Sequence, residues 1–342
     1  MKHYIGLDAH SSTCTLVSLN FSGKELARVK LPTTERGLVL FVRSLKGEKA
    51  LTFEESTQSK WLHTIFYKEV DELIVCQPAY LPKKRAAKGD YQDALQMAHA
   101  LRGGHLESVF HSEDNIFIPL RVLVSTYRDI VCDLRRSKNR LKAVFRAQGI
   151  NVIGKNIYSQ PERIKELKNN WDQVSADTLM YQIQTLEQIK ERYVEEFKSN
   201  MKKYKILRLL DTVPGIDVIR ANIITAYICD GARFKNKHHL WVYAGLVRRK
   251  QISDGREYGK DYHRGRPELK DAFMGIATAV LISNSSLRKY YDRLRSQGLD
   301  DKKAKKSIAR KAAAIVLAIM KTNKPYNDKY EENELSKIKR EN

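Results

Sequence analysis

The feature that most constrains this chain is the order of its apolar runs over roughly the first hundred residues. Three strand-like runs come first with no helical segment between them: Tyr4 to Asp8, Thr13 to Leu19 and Glu25 to Leu31. Phe21-Ser22-Gly23-Lys24 supplies the turn between the last two. The period then changes. Thr34 is placed to cap a helix that carries Leu38, Phe41, Val42 and Leu45 on one face. Leu51-Thr52-Phe53 is strand-like again and ends at Glu54-Glu55. Trp61, Leu62, Ile65 and Phe66 mark a second helix, and Leu73 to Cys76 a fifth strand stopped by Pro78. A helix follows from Asp90 to Leu101. An antiparallel meander followed by alternating helix and strand requires an α/β domain with a mixed sheet.

The same order resembles the ribonuclease-H fold. Beyond it the chain reads as all-α. Residues 119–148 form one long amphipathic helix, with Leu120, Val124, Tyr127, Val131, Leu134 and Leu141 near helical spacing. Leu179 to Lys205 forms a second, rich in Glu, Lys and Gln, and the polar stretch Gly149 to Asp172 separates the two. Such a pair suits a coiled-coil hairpin, a dimerisation arm or a plain helical spacer. Past Leu209 come a turn at Val213-Pro214-Gly215, an apolar helix, a basic loop-rich stretch from Val247 to Arg266, a buried helix from Asp271 to Ser283 and a last helix ending near Met320. The expected domains are 1–110 (α/β), 111–208 (helical arm), 209–330 (mainly helical) and a polar tail over 331–342.

Charge narrows the function. The chain has 342 residues and a formal net charge of +22, which favours a polyanionic partner, most simply nucleic acid. No apolar run approaches the roughly 20 residues that span a bilayer, and no membrane partner is expected. Met1 to Gly6 enters a strand pattern directly, unlike a secretory leader. Cys14, Cys76, Cys132 and Cys229 are far apart, which fits buried reduced thiols in a cytoplasmic protein and argues against a zinc site.

The acidic residues fall in suggestive places. Asp8 closes the first strand and Glu54 the fourth. Asp90 and Asp93 are three apart on a helix and share a face. In a ribonuclease-H sheet the ends of strands one and four are neighbours, and the helix after strand five reaches the same point. Carboxylates gathered there repel unless a cation neutralises them, and their oxygens favour Mg²⁺ or Mn²⁺. Lys83, Lys84, Arg85 and Lys88 lie just before the Asp90 helix, where they suit a phosphate backbone.

Several short motifs, in order, resemble one family. Gly6-Leu7-Asp8, Phe53-Glu54-Glu55-Ser56, Gln77-Pro78 and Lys88-Gly89-Asp90-Tyr91-Gln92-Asp93-Ala94 resemble the motifs of the DEDD transposases of bacterial insertion sequences. Further on, Val213-Pro214-Gly215-Ile216, Ala244-Gly245-Leu246, Ser253-Asp254-Gly255, Arg264-Gly265 with Leu269, and Lys324-Pro325-Tyr326 resemble the segments of that family's second domain. Gly89 stands where the family carries Thr, Asp254 is inserted between Ser and Gly, and Asp217 replaces a usual Gly. The family includes Piv-type invertases and bridge-RNA-guided recombinases.

The resemblance implies a RuvC-like domain, a coiled coil and a C-terminal transposase domain. It implies strand exchange on donor and target DNA through a transient serine–DNA bond, directed by an element-encoded guide RNA, in a homo-oligomer that is a dimer of dimers. Carried over by residue, Asp8, Glu54, Asp90 and Asp93 are the Mg²⁺ (or Mn²⁺) ligands and Ser253 the nucleophile, with Glu55 open as the alternative to Glu54. Arg248, Arg249, Lys250, Arg256, Lys260, His263, Arg264 and Arg266 surround Ser253 and suit phosphate. The competing readings are a RuvC-type nuclease without a covalent intermediate and a nucleic-acid-binding protein with an inactive acidic site.

Overall fold

The computed structural model describes residues 1–77, 89–106, 108–110, 112, 115–247, 252–253, 256–257 and 265–328, with 252–253 and 256–257 described by backbone alone. The chain divides into two compact units, Met1–Asp114 and Asn115–Asn342. The basic positions Lys83, Lys84, Arg85, Lys88, Arg248, Arg249, Lys250, Lys260, His263 and Arg264 lie outside the described residues.

The first unit is built on a five-stranded sheet of order β3-β2-β1-β4-β5. Its strands are β1 (Lys2–Ala9), β2 (Thr13–Leu19), β3 (Glu25–Pro32), β4 (Glu48–Glu54) and β5 (Glu72–Cys76). The meander β1-β2-β3 is antiparallel, while β4 and β5 run parallel to β1. The helices α1 (Glu35–Ser44) and α2 (Ser59–Phe66) supply the crossovers, and α3 (Asp90–Arg102) follows β5. This mixed α/β sheet is consistent with a RuvC-like N-terminal domain.

Period 2 sorts the strand residues between two faces. Ile5, Leu7, Leu16, Leu51, Phe53 and Val75 form one core with Leu38 and Val42 of α1 and Leu62, Ile65 and Phe66 of α2. Val17 and Leu19 point the other way and pack with Ala94 and Ala98 of α3. Gly6 makes the second face possible. A Cβ there would stand 2.0 Å from the Ala94 carbonyl oxygen and 2.5 Å from the Ala98 nitrogen, so α3 lies backbone to backbone on β1.

The second unit is helical, apart from one short hairpin. Two long helices open it, α4 (Leu120–Ala147) and α5 (Asn170–Lys203). Gln148 bonds Asp172, Lys138 bonds Glu187, and Tyr127 meets Phe197 edge-on, so the pair runs antiparallel. Leu134, Leu141, Phe145, Ala176, Met180 and Ile183 fill the space between them. The second helix begins earlier than its sequence pattern suggests, at Asn170 rather than Leu179. The Asn169 side chain accepts the Trp171 N–H and caps it, and its buried face continues from Ala176.

The remaining helices are α6 (Lys205–Asp211), α7 (Val218–Ile228), α8 (Lys237–Tyr243), α9 (Pro267–Ala279), α10 (Ser286–Ser296) and α11 (Asp301–Thr322). They close a core in which α7 (Ile224, Ile228) meets α9 (Phe273, Ile276) and α11 (Ile308, Val316). The sequence reading started α9 at Asp271. Pro267 starts it a turn earlier, because its missing N–H costs nothing at a first helical position. Cys14, Cys76 and Cys229 are buried free thiols, as expected, but Cys132 is exposed because it lies on the face of α4 turned away from α5.

Candidate functional site

Gly6 and the strand period bring the carboxylates together. Asp8 shares the face of Gly6 at the end of β1. Its neighbour β4 runs parallel in register, with Leu7 opposite Phe53, so Glu54 is the next residue beside Asp8. Phe53 belongs to the α1–α2 core, and alternation therefore turns Glu54 with Thr52 to the opposite face, the one α3 covers; Glu55 lies past the end of the strand. The first turn of α3 carries Asp90 and Asp93 and, because α3 lies directly on Gly6, presents them above the strand ends.

The tightest group includes a residue that the sequence reading missed. His10 Nε2 stands 3.1 Å from Asp8 Oδ2 and 3.4 Å from Asp90 Oδ1. One ligand atom from each of Asp8, His10 and Asp90 lies within 4.8 Å of the others. Only the turn after β1 places His10 there, and a lone His two residues past a strand carries no signal of its own. Lys30 Nζ reaches in from β3 and donates to Asp90 Oδ2 at 2.8 Å. Glu54 and Asp93 stand outside the tight group, yet close enough to be felt electrostatically.

That influence appears in the ionisation of Asp8 and Glu54. Burial pushes the Asp8 carboxyl above its usual range; the nearby His10 opposes this, and the charges of Asp93 and Asp90 add to it. Burial raises Glu54 as well, followed by repulsion from Asp8 and Asp93. Asp90 goes the other way, held low chiefly by its hydrogen bond from Lys30. The buried Asp8 Oδ2 has His10 Nε2 beside it at 3.1 Å and no donor in good hydrogen-bond alignment. A half-buried acid with an unsatisfied oxygen, surrounded by like charges, lowers its free energy by gaining a cation. Carboxylate oxygens from three elements are the donor set that a hard divalent ion takes.

The serine region is held differently. Ser253 sits in β6 (Ile252–Ser253), paired antiparallel with β7 (Arg256–Glu257), directly opposite Arg256. Leu246, before it, belongs to the helical core, and Gly265, after it, lies against Gly245. A Cβ on Gly265 would meet the Gly245 nitrogen at 2.4 Å, and Gly245 has a φ of +63°, so two glycines pinch the ends together. Arg266 donates its backbone N–H to the Tyr243 carbonyl at 2.7 Å just after the pinch. Among the described residues no helix is long and apolar enough to cross a membrane.

Comparison with known proteins agrees with this arrangement. A DEDD-type transposase family model named for IS110 matches residues 5–148, which include β1 to α3. A second model, described as the transposase IS116/IS110/IS902 family, matches residues 207–292, which include the glycine pinch and Ser253. The chain is 21% identical over 316 residues to an insertion element IS110 uncharacterized 43.6 kDa protein of Streptomyces coelicolor, covering 74% of this chain and 78% of that one. Pilin gene-inverting proteins of Moraxella lacunata and Moraxella bovis are each 29% identical over 132 residues, 36% of this chain and 39% of theirs. The chain belongs to the IS110-type DEDD family of insertion-sequence transposases.

Proposed function

We propose that this transposase cuts and rejoins DNA through a transient bond between Ser253 and a strand phosphate, with Asp8, Glu54, Asp90 and Asp93 holding Mg²⁺ or Mn²⁺ at the reacting phosphodiester. The observation that carries the reading is the gathering of a half-buried Asp8, its ionisation opposed by burial and by neighbouring carboxylates, with Asp90, Glu54 and Asp93 where β1, β4 and α3 meet. Glu54 is favoured as the ligand because it lies beside Asp8 in the register of β4 on β1 and the charges of Asp8 and Asp93 oppose its ionisation. A bound divalent ion supplies charge neutralisation at the phosphate and lowers the pKa of an oxygen beside it.

In this reading the Ser253 Oγ attacks phosphorus and loses its proton to solvent, the bond to one deoxyribose oxygen breaks, and that oxygen takes up a proton from solvent to leave as a hydroxyl. The freed hydroxyl of a second strand then attacks the phosphoserine diester, restoring Ser253 and completing the exchange without net hydrolysis. The proposed partners are donor and target DNA and an element-encoded guide RNA, in a cytoplasmic dimer of dimers. Residues 111–208 are the proposed coiled-coil arm between a catalytic domain over 1–110 and a serine domain over 209–330. Arg256, Arg266 and the basic residues flanking both sites are assigned to phosphate.

The test is a trap. Wild-type protein incubated with labelled element-end DNA and Mg²⁺ is expected to give a protein–DNA adduct on a denaturing gel, and Ser253→Ala none. Cleavage without any adduct would remove the covalent step and leave metal-dependent hydrolysis as the activity.

A further inference from the structure

A second basic site lies in the helical hairpin, remote in sequence from the carboxylates and from Ser253. Arg135, Lys138, Asn139 and Lys142 fall at spacings of three and four along α4 and therefore form one stripe. Facing the stripe is Tyr158, held in a single 3₁₀ turn (Asn156–Ser159) whose Ile157 is anchored in the hairpin core. Together with Lys155 they line an open cavity of about 340 Å³. Its floor is apolar, from Val131 and Leu134.

The charge of this cavity is not balanced. Lys138 is paired with Glu187 at 2.5 Å. Lys142 donates to the Gly154 carbonyl at 2.7 Å, which satisfies a donor but leaves the charge. Among the described residues neither Arg135 nor Lys155 has a carboxylate partner. Two ammonium groups also sit beside the Tyr158 ring, at 4.8 Å and 5.3 Å from its centroid for Lys138 and Lys142. Three uncompensated cations, an amide and an aromatic wall around an apolar floor suit a ligand that is anionic at one end and flat and apolar at the other.

We infer that this cavity binds one unpaired nucleotide of a single-stranded nucleic acid, with phosphate on Arg135 and Lys155 and the base against Tyr158. The volume exceeds what an isolated phosphate needs and lies in the range of roughly 300–1,000 Å³ typical of small organic ligands. A duplex keeps its bases stacked inside and offers only phosphates, which would leave the apolar floor and ring unused. A single strand can turn a base out onto an aromatic side chain.

The inference rests on the proposed handling of nucleic acid, but at a different place from the carboxylates. The experiment measures binding by the full-length chain of labelled single-stranded RNA, single-stranded DNA and duplex DNA of one sequence, over a salt series. For Arg135→Ala with Lys155→Ala, both exposed and so tolerant of change, the slope of log affinity against log salt should shrink by about 0.7 for a single strand, one phosphate's share. Tyr158→Leu should weaken single-strand binding roughly tenfold. Both effects should be absent with the duplex. A preference between the two single strands would name the source of the ligand. Unchanged single-strand binding in both variants, or an equal loss with duplex, overturns the inference. Failure of the wild type to bind any nucleic acid would overturn the proposed function with it, whereas intact Asp8-dependent cleavage beside an unaffected hairpin would overturn this site alone.

Discussion

The two units hold their candidate residues in different ways. In the first, Asp8, Glu54, Asp90 and Asp93 stand on regular elements, and each is placed by a repeating rule. Strand alternation turns Asp8 and Glu54 to one face, and the helical repeat puts Asp90 and Asp93 on one side of α3. One backbone contact, α3 on Gly6, joins the two sets. In the second unit, Ser253 lies on a strand of two residues paired with Arg256–Glu257. There too the fixing contact is a glycine, Gly265 against Gly245. A site built on periodic elements is positioned by many residues at once, while a site on a loop is positioned by its closure.

The largest effect should come from removing the centre of the first site. Asp8→Ala or Asp8→Asn is expected to lower metal-dependent DNA cleavage on the order of 10³-fold or more, since several kcal/mol of charge stabilisation depend on the ligand set. The same variants should make the metal-free protein more stable at neutral pH, not less. The sign follows from the raised pKa: a carboxyl whose folded pKa lies above its unfolded value destabilises the fold once ionised. Metal-free wild type should accordingly gain stability as pH falls from neutral through the raised values of Asp8 and Glu54, and Asp8→Asn should flatten that gain. Thermal melts in chelator across pH measure this. A loss of metal-free stability in Asp8→Asn at neutral pH would remove the account of a strained acidic cluster.

The two glycines provide the most direct test of the comparison. A methyl group on Gly6 forces α3 off β1, at a cost of about 1–3 kcal/mol or more for overpacking. It should carry Asp90 and Asp93 out of place, so Mn²⁺ affinity falls together with stability. Gly265→Ala meets a similarly short contact and should cost a similar amount. Its consequence differs: Mn²⁺ binding is expected to persist while the Ser253–DNA adduct disappears. Urea unfolding and Mn²⁺ titration of both variants, with the adduct assay, would show whether the damage separates. Loss of Mn²⁺ binding in Gly265→Ala would mean that the first site does not stand on its own unit.

His10 marks the limit of what the sequence disclosed. The five strands, the opening meander and the shared face of Asp90 and Asp93 are readable because period and punctuation encode them, whereas the choice between Glu54 and Glu55 is not. The starts of α5 and α9 were misplaced by up to nine residues, since a capping Asn169 and a Pro267 at the first helical position outweigh apolar spacing. His10 was invisible because a turn, not a period, sets its direction. Removing it leaves Asp8 Oδ2 and Asp90 Oδ1 facing each other without the imidazole between them. His10→Ala should therefore lower the melting temperature in chelator and leave it unchanged with saturating Mn²⁺. A fall of roughly 10- to 100-fold in Mn²⁺ affinity would instead make His10 a ligand.

The smallest expected effect belongs to Lys30, and it sharpens the comparison from the rim of the site. Lys30 and Asp90 are both substantially exposed, with side chains 58% and 36% accessible, so water screens the pair and Lys30→Gln should leave neutral-pH stability within error. What changes is titration. Lys30 is the first cause of the depressed Asp90 pKa, and a depressed acid contributes stability above its unfolded pKa that is lost as pH falls through the folded value. Lys30→Gln should lift Asp90 back toward the ordinary carboxylate range, and carboxyl titration by NMR reads this directly. Because the ammonium also competes with any ion for Asp90 Oδ2, the variant should bind Mn²⁺ slightly more tightly, opposite in sign to Gly6→Ala. An Asp90 that titrates unchanged would show that α3, rather than the lysine, sets its charge.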